Sequence, residues 1–567
     1  MIRDEILKNL QSTLKKLNIK DIVATLEKPA NSDFGDYSTS VALKLVKQLK
    51  KNPLLIAEEI AKNFPKNNSI KKIEVVKPGF INFWISDVQL INRLTEALEK
   101  GFIFPEHHLG KNKKIMVEFA HPNTHKLFHI VHLRNISTGE SVVRILESVG
   151  NKVIRSNYEG DVGMHIAKCL FGILNSKSDI HKLNNLQAKI EFIGKMYSAG
   201  TKAYEDDTKA KAEILKINKM IYDRDPKIMP LWTETRQWSL KYFEQNYKRF
   251  YSHFDRCYFE SEFYERGIEI VKEALKKGIL EKSQGAIIFN GKKYGIDTRV
   301  FVNSLGLPTY EGKEPALAEK EFSDFGELDK VIHVVTPEQT SFFKVTFKVE
   351  ELLDEKKYKD KQYHLIYEWV KLKAGKMSSR EGNIIEANWL IDEVKKKILE
   401  KSKCDEETAE TLAVASTKYS FLKNGTQTII HFDIDESIAV DGNSAPYLIY
   451  TYVRCQSVLK KSQKLEVKSQ NLNSKVKSNL NNDELNVLRI ISQFPEVVQQ
   501  AAIQLSPNLI ANYLYELAQK YNYFYQKNKI LESQEKTKQF RLILTQAVGK
   551  VIKEGLYLLG IKTVEKM

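Results

Sequence analysis

Four histidines lie close together in the chain, and their spacing makes them the strongest candidates for catalytic chemistry. They are His121, His125, His129 and His132. His129 and His132 are three residues apart, which on a helix places both side chains on one face. At the first turn of a helix, where free N–H groups attract anions, they could donate hydrogen bonds to a phosphate. The pattern predicts a phosphate-binding site, with a histidine metal site and ordinary structural histidines as the alternatives.

A second polar segment lies between Gly375 and Gly382 and contains a lysine, two serines and an arginine. A flexible basic loop of this kind can close over a triphosphate and stabilise the charge that develops on a leaving group. Lys376 and Ser378 are the candidate residues of this loop. Taken alone, the same composition is also typical of an exposed turn.

The residues around the histidines predict a parallel α/β sheet. An apolar strand at 114–119 leads into the histidine segment, a helix follows at about 133–149, and a second strand begins at 152. Strand, loop, helix and strand within about 40 residues form a βαβ unit. Ligands bind outside the carboxyl ends of the strands in such sheets, which is where the histidines fall.

The remaining patterns divide the chain into domains. Helical periodicity and two strands around Pro78 and Gly79 predict a small α+β unit over the first hundred residues. Residues 177–250 are charged and helical, and helical periodicity dominates beyond about residue 388. We therefore predict an accessory domain at 1–105, a parallel-sheet catalytic domain at 106–390 with a helical insertion at about 177–250, a helical linker at 391–440 and a helical domain at 441–567.

Composition restricts the class of protein. The 567 residues carry 88 Lys and Arg against 72 Asp and Glu, a formal net charge of +16, and 42% are hydrophobic. This is a folded multidomain protein whose charge favours a polyanionic partner such as nucleic acid. No apolar run approaches the ~20 residues needed to cross a bilayer, so we expect no membrane partner. The amino terminus reads neither as a secretory signal nor as a transit peptide, and four scattered cysteines predict a cytoplasmic protein.

The two polar segments resemble the signature motifs of class I aminoacyl-tRNA synthetases. Residues 129–132 (His-Ile-Val-His) resemble the motif HIGH, and residues 376–380 (Lys-Met-Ser-Ser-Arg) resemble the motif KMSKS. Further segments are similar to the arginyl-tRNA synthetase family in particular. They are 33–37, 78–82, 118–123, 128–135, 157–163, 367–370, 375–383, 445–454 and 558–561. The resemblance covers essentially the whole chain in the expected order.

This resemblance implies a fold and a reaction. The implied fold is a Rossmann-like catalytic domain, an N-terminal accessory tRNA-binding domain of α+β type and an all-α anticodon-binding domain. The implied reaction activates L-arginine with ATP to arginyl-adenylate, releases pyrophosphate and transfers arginine to the 3′ end of tRNA(Arg). Mg²⁺ is expected as the counter-ion of ATP and no protein-bound metal is expected. We expect the enzyme to act as a monomer.

The resemblance also implies roles for individual residues. The implied catalytic residues are Lys126, His129, His132 and Lys376. The implied ATP contacts are His129, Val131, His132, His364, Lys376, Met377 and Ser378. The implied arginine contacts are Glu118, His121, Asn123, Tyr310, Glu314 and Gln339. The implied tRNA contacts are Tyr447, Arg454 and Tyr513, with helix packing as the alternative for the aromatic residues.

Two positions depart from the family's pattern. Val131 replaces the glycine of HIGH, where bare backbone lets a nucleotide lie close to the chain. Glu314 occupies a position where the family usually has aspartate. These differences motivate a second hypothesis, a non-catalytic tRNA- or RNA-binding relative with an altered ATP site.

Overall fold

The computed structural model describes residues 2–19, 22–29, 34–102, 110, 112–176, 180–373, 385–462 and 480–567. The chain divides into two compact units. The first comprises Met1–His107, Tyr450–Gln500 and Tyr513–Glu554, and the second comprises His108–Ile449, Ala501–Asn512 and Gly555–Met567. No helix among the described residues is long and apolar enough to cross a membrane.

The N-terminal part of the first unit is the predicted α+β fold. Its described helices are α1 (Ile2–Lys16), α2 (Val41–Leu49), α3 (Pro53–Asn63) and α4 (Asp87–Lys100). Its described strands are β1 (Tyr37–Thr39), β2 (Ile70–Val76) and β3 (Phe80–Ile85), which form an antiparallel sheet in the order β1-β3-β2. The side chains of Ile81, Phe83 and Ile85 lie on one face of β3 and are buried in the core of this fold.

The C-terminal region is helical, as its periodicity predicted. Its long described helices are α17 (Ala445–Lys461), α18 (Asn482–Gln504), α19 (Asn508–Lys527) and α20 (Glu535–Leu558). In the first unit, α18 also contacts the N-terminal fold. The Tyr37 hydroxyl donates a 2.5 Å hydrogen bond to Glu496, and Arg489 pairs with Asp36 at 3.2 Å. Residues from the two ends of the chain therefore pack together in one unit.

The second unit contains the parallel sheet. Its described strands are β4 (Lys114–Glu118), β5 (Lys152–Glu159), β6 (Arg256–Phe259), β10 (Lys330–Val335) and β11 (Gln362–Ile366), in the order β11-β10-β4-β5-β6. All neighbouring pairs in this sheet are parallel, which confirms the predicted Rossmann-like class of the catalytic domain. The register aligns Glu118 with His333 on one side and Ser156 on the other.

Helices surround this sheet and form the insertion. The described helices are α5 (Ile130–Ser148), α6 (Met164–Leu174), α7 (Leu186–Asp206), α8 (Thr208–Tyr222), α9 (Met229–Arg249), α10 (Tyr264–Lys276), α11 (Tyr310–Phe325), α12 (Thr340–Leu353), α13 (Glu355–Tyr358), α14 (Ala387–Lys401), α15 (Glu406–Leu422) and α16 (Ile434–Ser437). The smaller described strands are β7 (Glu281–Ser283), β8 (Ala286–Phe289), β9 (Arg299–Val302), β12 (Val370–Leu372) and β13 (Ile430–Phe432).

Three of the elements that differ from the sequence predictions are α5, β13 and β6. Helix α5 begins at Ile130, earlier than expected, because the His132 side chain accepts a hydrogen bond from the backbone N–H of His129 and caps the first turn. Strand β13 lies beyond residue 388, where only helices were expected, and pairs in parallel with β12. Strand β6, with the sequence Arg-Cys-Tyr-Phe, was missed because its pattern has no clear polar–apolar alternation.

Helix α5 is fixed against the sheet by polar as well as apolar contacts. Asn135 accepts a hydrogen bond from the backbone N–H of Ala120 and donates one to the carbonyl of Val334, each at 2.6 Å. A Cβ atom at Gly139 would overlap the ring of Phe119, so glycine permits this close approach. The start of α5 is therefore held at the carboxyl ends of β4 and β10.

Candidate active site

The start of helix α5 presents two neutral histidines. The rings of His129 and His132 stack with their centroids 3.7 Å apart. Burial lowers the pKa of His129 to about 4 and that of His132 well below its usual value, and Lys126 contributes to both shifts. His132 accepts from the His129 N–H through Nδ1 at 3.1 Å, so its proton lies on Nε2. At neutral pH these rings can donate hydrogen bonds to a phosphate without carrying charge.

His125 has a structural role. Its Nδ1 lies 3.0 Å from the Thr124 hydroxyl and its Nε2 lies 2.7 Å from the Thr235 hydroxyl, and the ring is fully buried. His125 is therefore an ordinary structural histidine, which was one of the alternatives for this segment. Among the described residues no group of three or more His, Cys, Asp or Glu side chains is arranged to hold a metal ion.

Two buried acids lie near the histidines and differ in protonation. Glu118 ends strand β4 and accepts a 2.8 Å hydrogen bond from Nδ1 of His333. Burial raises the pKa of Glu118, but the charge and the hydrogen bond of His333, together with smaller contributions from His121 and Glu321, leave that pKa below its usual value. Glu314, on α11, is 5% exposed. Burial and the charge of Glu118 raise the pKa of Glu314 well above its usual value.

Tyr310 begins helix α11 one turn before Glu314 and is 56% exposed. Together with Lys126 it lines a cavity of about 490 Å³. Lys313 lies 4.7 Å from the centre of the Tyr310 ring and forms a buried 2.5 Å ion pair with Glu260. The cavity is therefore lined both by a residue assigned to arginine binding, Tyr310, and by one assigned to phosphate binding, Lys126.

The other predicted ligands of the small substrates lie at the same edge of the sheet. Asn123 forms an isolated parallel bridge with Gly160. His121 is half-buried, with Nδ1 4.0 Å from Oε1 of Glu118, and burial lowers its pKa. Gln339 is exposed in the short turn after β10. Because β4 and β10 are neighbours, these positions converge at their carboxyl ends.

Val131 and His364 are two of the predicted ATP contacts, and they lie on α5 and β11. Val131 lies in the first turn of α5, half-buried, and its carbonyl accepts a 3.5 Å hydrogen bond from the Tyr367 hydroxyl. His364 lies on β11 with Nε2 3.3 Å from the carbonyl of Val335, and burial lowers its pKa to about 4. The side chain at residue 131 is therefore part of the surface beside His129 and His132.

Lys376, Met377 and Ser378 lie outside the described residues. The chain on both sides of that segment is described and is attached to α5 by the buried Arg134. Its guanidinium donates to the carbonyls of Glu368 and Trp369 before the segment and of Thr426 and Thr428 after it, the last three at 2.9 to 3.0 Å. One side chain thus connects the histidine helix to the backbone on both sides of residues 374–384.

Arg454 lies between two exposed tyrosines in the first unit. Its guanidinium carbon is 4.8 Å from the ring centre of Tyr450 and 4.9 Å from that of Tyr525, and it donates to Asn522 at 2.5 Å. Tyr447 lies in the first turn of α17 and is half-buried. Exposed rings flanking a guanidinium provide faces on which bases can stack.

Tyr513 was predicted to contact tRNA, and the structure corrects this assignment. Its side chain is 5% exposed, stacks on Phe494 with 5.5 Å between ring centres, and donates a 2.9 Å hydrogen bond to the carbonyl of Ile490. A ring buried between helices cannot stack on a base without leaving the core. Tyr513 therefore packs between helices, which was the alternative to tRNA contact for the aromatic residues.

Sequence reasoning missed a group of buried ionisable residues close to Glu118. They are Glu321, His333 and Glu350. The sequence signal was present, since His333 interrupts the apolar run 331–335 of strand β10. A histidine in the middle of a buried parallel strand needs partners, and only the fold shows that these are acids distant in sequence.

Three family models match the chain. Residues 93–435 match the model described as tRNA synthetases class I (R), catalytic domain. Residues 4–85 match the Arginyl tRNA synthetase N terminal domain, and residues 448–567 match the DALR anticodon binding domain.

Full-length relatives and solved structures agree with these matches. An arginine–tRNA ligase of Fusobacterium nucleatum is 32% identical over 571 residues, covering 99% of this chain and 98% of the relative. One of Halothermothrix orenii is 30% identical over 582 residues, covering 100% and 99%. The arginyl-tRNA synthetase structures of Thermus thermophilus (TM-score 0.83, 22% identity, 100% of both chains) and Plasmodium falciparum (TM-score 0.81, 21% identity, 100% and 99%) share the fold.

Proposed function

The chain belongs to the arginyl-tRNA synthetase family and is an ATP-dependent arginine–tRNA ligase, and we propose that the residues described above divide its reaction among themselves. The arrangement that carries this proposal is the pair of neutral histidines at a helix start beside two buried acids, at the carboxyl edge of a parallel sheet. No observation favours the alternative of a non-catalytic relative.

Arginine is held by its two charged ends. Glu118, Asn123 and Gln339, with His121 nearby, bind the α-amino and carboxylate groups, while Tyr310 and Glu314 bind the guanidinium. Support comes from the burial of both glutamates, because a carboxylate shielded from water pairs strongly with a cation, and Glu314 can pair with the planar guanidinium through two parallel hydrogen bonds. Glu314 keeps its proton in the free enzyme and gives it up when the guanidinium binds.

ATP lies over the start of α5. The Nε2–H of His132 and the ring of His129 donate to the phosphates, with Lys126 and Lys376 neutralising their charge. The remaining contacts are Val131, His364, Met377 and Ser378. An oxygen of the arginine carboxylate attacks the α-phosphorus, the bond to pyrophosphate breaks, and arginyl-adenylate forms. In-line positioning and charge stabilisation are what this step requires. ATP enters with Mg²⁺ as its counter-ion.

The terminal ribose hydroxyl of tRNA(Arg) then attacks the carbonyl carbon of the adenylate, and AMP leaves. Tyr447 and Arg454 contact the anticodon region, and the exposed rings beside Arg454 support this role. The four cysteines are free, consistent with work in the reducing cytoplasm. We also propose that the chain has the predicted domain division and acts as a monomer. Gel filtration combined with light scattering tests the monomer.

ATP–pyrophosphate exchange tests the proposal. We expect exchange with arginine in the presence of tRNA(Arg), and little with lysine or citrulline. Citrulline has the length of arginine without its charge, so it tests whether the acids select a cation. Absence of exchange with any amino acid, while tRNA still binds, would favour the non-catalytic alternative.

A further inference from the structure

A buried group of acids surrounds His333, which contacts Glu118 of the proposed arginine site. His333 is 1% exposed and lies on β10, between Glu118 of β4 and His364 of β11 in the strand register. Its Nδ1 donates to Glu118 at 2.8 Å, and its Nε2 lies 2.9 Å from Oε1 of Gln362. Gln362 in turn donates to Glu350 at 2.8 Å. The imidazole is thus held through both of its nitrogens.

The groups that face this imidazole from the neighbouring elements are acids and two further histidines. They are Glu118 on β4, His121 after β4, Glu314 and Glu321 on α11, Glu350 on α12, and His364 on β11. Among the described residues, no lysine or arginine forms an ion pair or hydrogen bond with the four glutamates. Lys357 acts on Glu350 only at longer range. His333 is therefore the cation that balances this group.

The charges of the group follow from its burial. Burial alone would lower the pKa of His333, but Glu118 and the other acids raise it to about 10. Burial raises the pKa of Glu350 to about 8 and that of Glu321 well above its usual value. Within the group, His333 is an imidazolium and Glu118 a carboxylate, while the raised pKa values of Glu314, Glu321 and Glu350 favour their protonated forms.

We propose that His333 is a positioning residue for arginine, whose imidazolium keeps Glu118 ionised and correctly oriented to accept hydrogen bonds from the α-ammonium group. This inference rests on the proposed arginine site. An ionised carboxylate has about four lone-pair sites. His333 uses one of these on Oε1, and a protonated Glu321 can donate to Oε2, which has no other donor among the described residues. The remaining sites have no hydrogen-bond donor among the described residues, which leaves acceptor capacity for the α-ammonium group.

Two amide substitutions at residue 333 test the roles of the two ring nitrogens separately. In His333→Asn the amide nitrogen lies near the position of Nδ1 and can still donate to Glu118, whereas in His333→Gln it lies near Nε2 and cannot. We expect His333→Gln to raise the KM for arginine about tenfold or more and His333→Asn to raise it about threefold. The KM for ATP should stay within about twofold in both, because neither nitrogen faces the nucleotide.

Two further measurements distinguish a positioning role of His333 from a general effect of its substitution on protein stability. In a Glu118→Gln background, adding His333→Gln should change the arginine KM less than about twofold, since His333 acts through Glu118. The ratio of the His333→Gln KM to the unaltered KM should also shrink between pH 7 and pH 9. Without the imidazolium Glu118 keeps its proton to a higher pH, and raising the pH restores the carboxylate.

A milder variant keeps the test usable if the ring substitutions do not fold. Gln362→Met leaves the imidazole but removes its second partner, and we expect the arginine KM to rise about three- to fivefold. An unchanged arginine KM in these variants, an equal rise in the ATP KM, or additive effects with Glu118→Gln would overturn the inference. If the unaltered protein itself shows no exchange with arginine, the proposed function fails instead.

Discussion

Replacing Glu314 by glutamine tests the acid that we assign to the guanidinium of arginine. The substitution preserves the volume of a side chain that is only 5% exposed and removes its ability to become a carboxylate. Truncating one partner of a buried, hydrogen-bonded charge pair costs about 2 to 5 kcal/mol. Because glutamine keeps one acceptor oxygen, we take about 3 kcal/mol, which corresponds to about a 150-fold loss in kcat/KM for arginine.

The effect of Glu314→Gln should depend on pH. Burial and the charge of Glu118 raise the pKa of Glu314 well above its usual value, which favours its protonated form in the free enzyme. Binding a guanidinium as an ion pair must release that proton, so the arginine KM of the unaltered enzyme should fall as pH rises towards this pKa. Glutamine has no such proton, and the variant should lose this part of the pH dependence.

Pyrophosphate exchange at several arginine concentrations, with tRNA and ATP saturating, gives the required kcat/KM from pH 6.5 to 8.5. Glu319→Gln is the matched control, since Glu319 lies on the same helix, is only half-buried and forms an ion pair with Arg266. We expect it to change kcat/KM less than about twofold, as is usual for surface pairs. A loss below threefold in Glu314→Gln, or an equal rise in the KM for ATP, would refute the assignment.

Three further predictions concern the nucleotide, the tRNA and the stability of the second unit. Val131→Gly should lower the KM for ATP in pyrophosphate exchange, because it removes an isopropyl group beside the phosphate-binding histidines; an unchanged or higher KM would show that the side chain does not crowd ATP. Arg454→Met should weaken tRNA binding in a filter assay and reduce the slope of log affinity against log salt by about one phosphate contact, with arginine and ATP kinetics unaltered. An unchanged slope would place Arg454 outside the interface. Arg134→Met should lower the free energy of unfolding by about 3 to 5 kcal/mol, because four backbone carbonyls lose a charged donor. Calorimetry should then show a melting temperature lower by about 5 °C for a unit of roughly 370 residues. Arg266→Met, at an exposed ion-pair cluster, should change it by less than about 1 °C; equal shifts in both variants would contradict the argument.

Local patterns were enough to predict the parallel sheet and the histidine helix. Strand β4, the loop, helix α5 and strand β5 form one βαβ unit whose periodicity is visible without any tertiary information. The motif around His129 and His132 is equally local, since both rings act from the same helical turn. The α+β character of the first hundred residues was predictable for the same reason, from helical periodicity and two apolar strands.

Predictions failed where a side chain's environment comes from distant parts of the chain. Tyr513 and Arg454 both lie in helices with exposed and buried tyrosines, and composition could not separate them. Tyr513 packs against Phe494 of another helix, whereas Arg454 lies between rings that remain exposed. Which face of a helix is covered depends on its neighbours, and these are set by the packing of the whole unit.

The positive net charge, the order of the domains, the two signature motifs and the identities of the candidate ligands were determined by the sequence alone. Tertiary structure alone decided the ionisation of the site. Glu118 and Glu314 are identical residue types, yet one is a carboxylate because His333 of a neighbouring strand donates to it, and the other keeps its proton because it is buried near that carboxylate. The pKa of a carboxyl group depends on its desolvation and on the charges around it, which only the folded chain brings together.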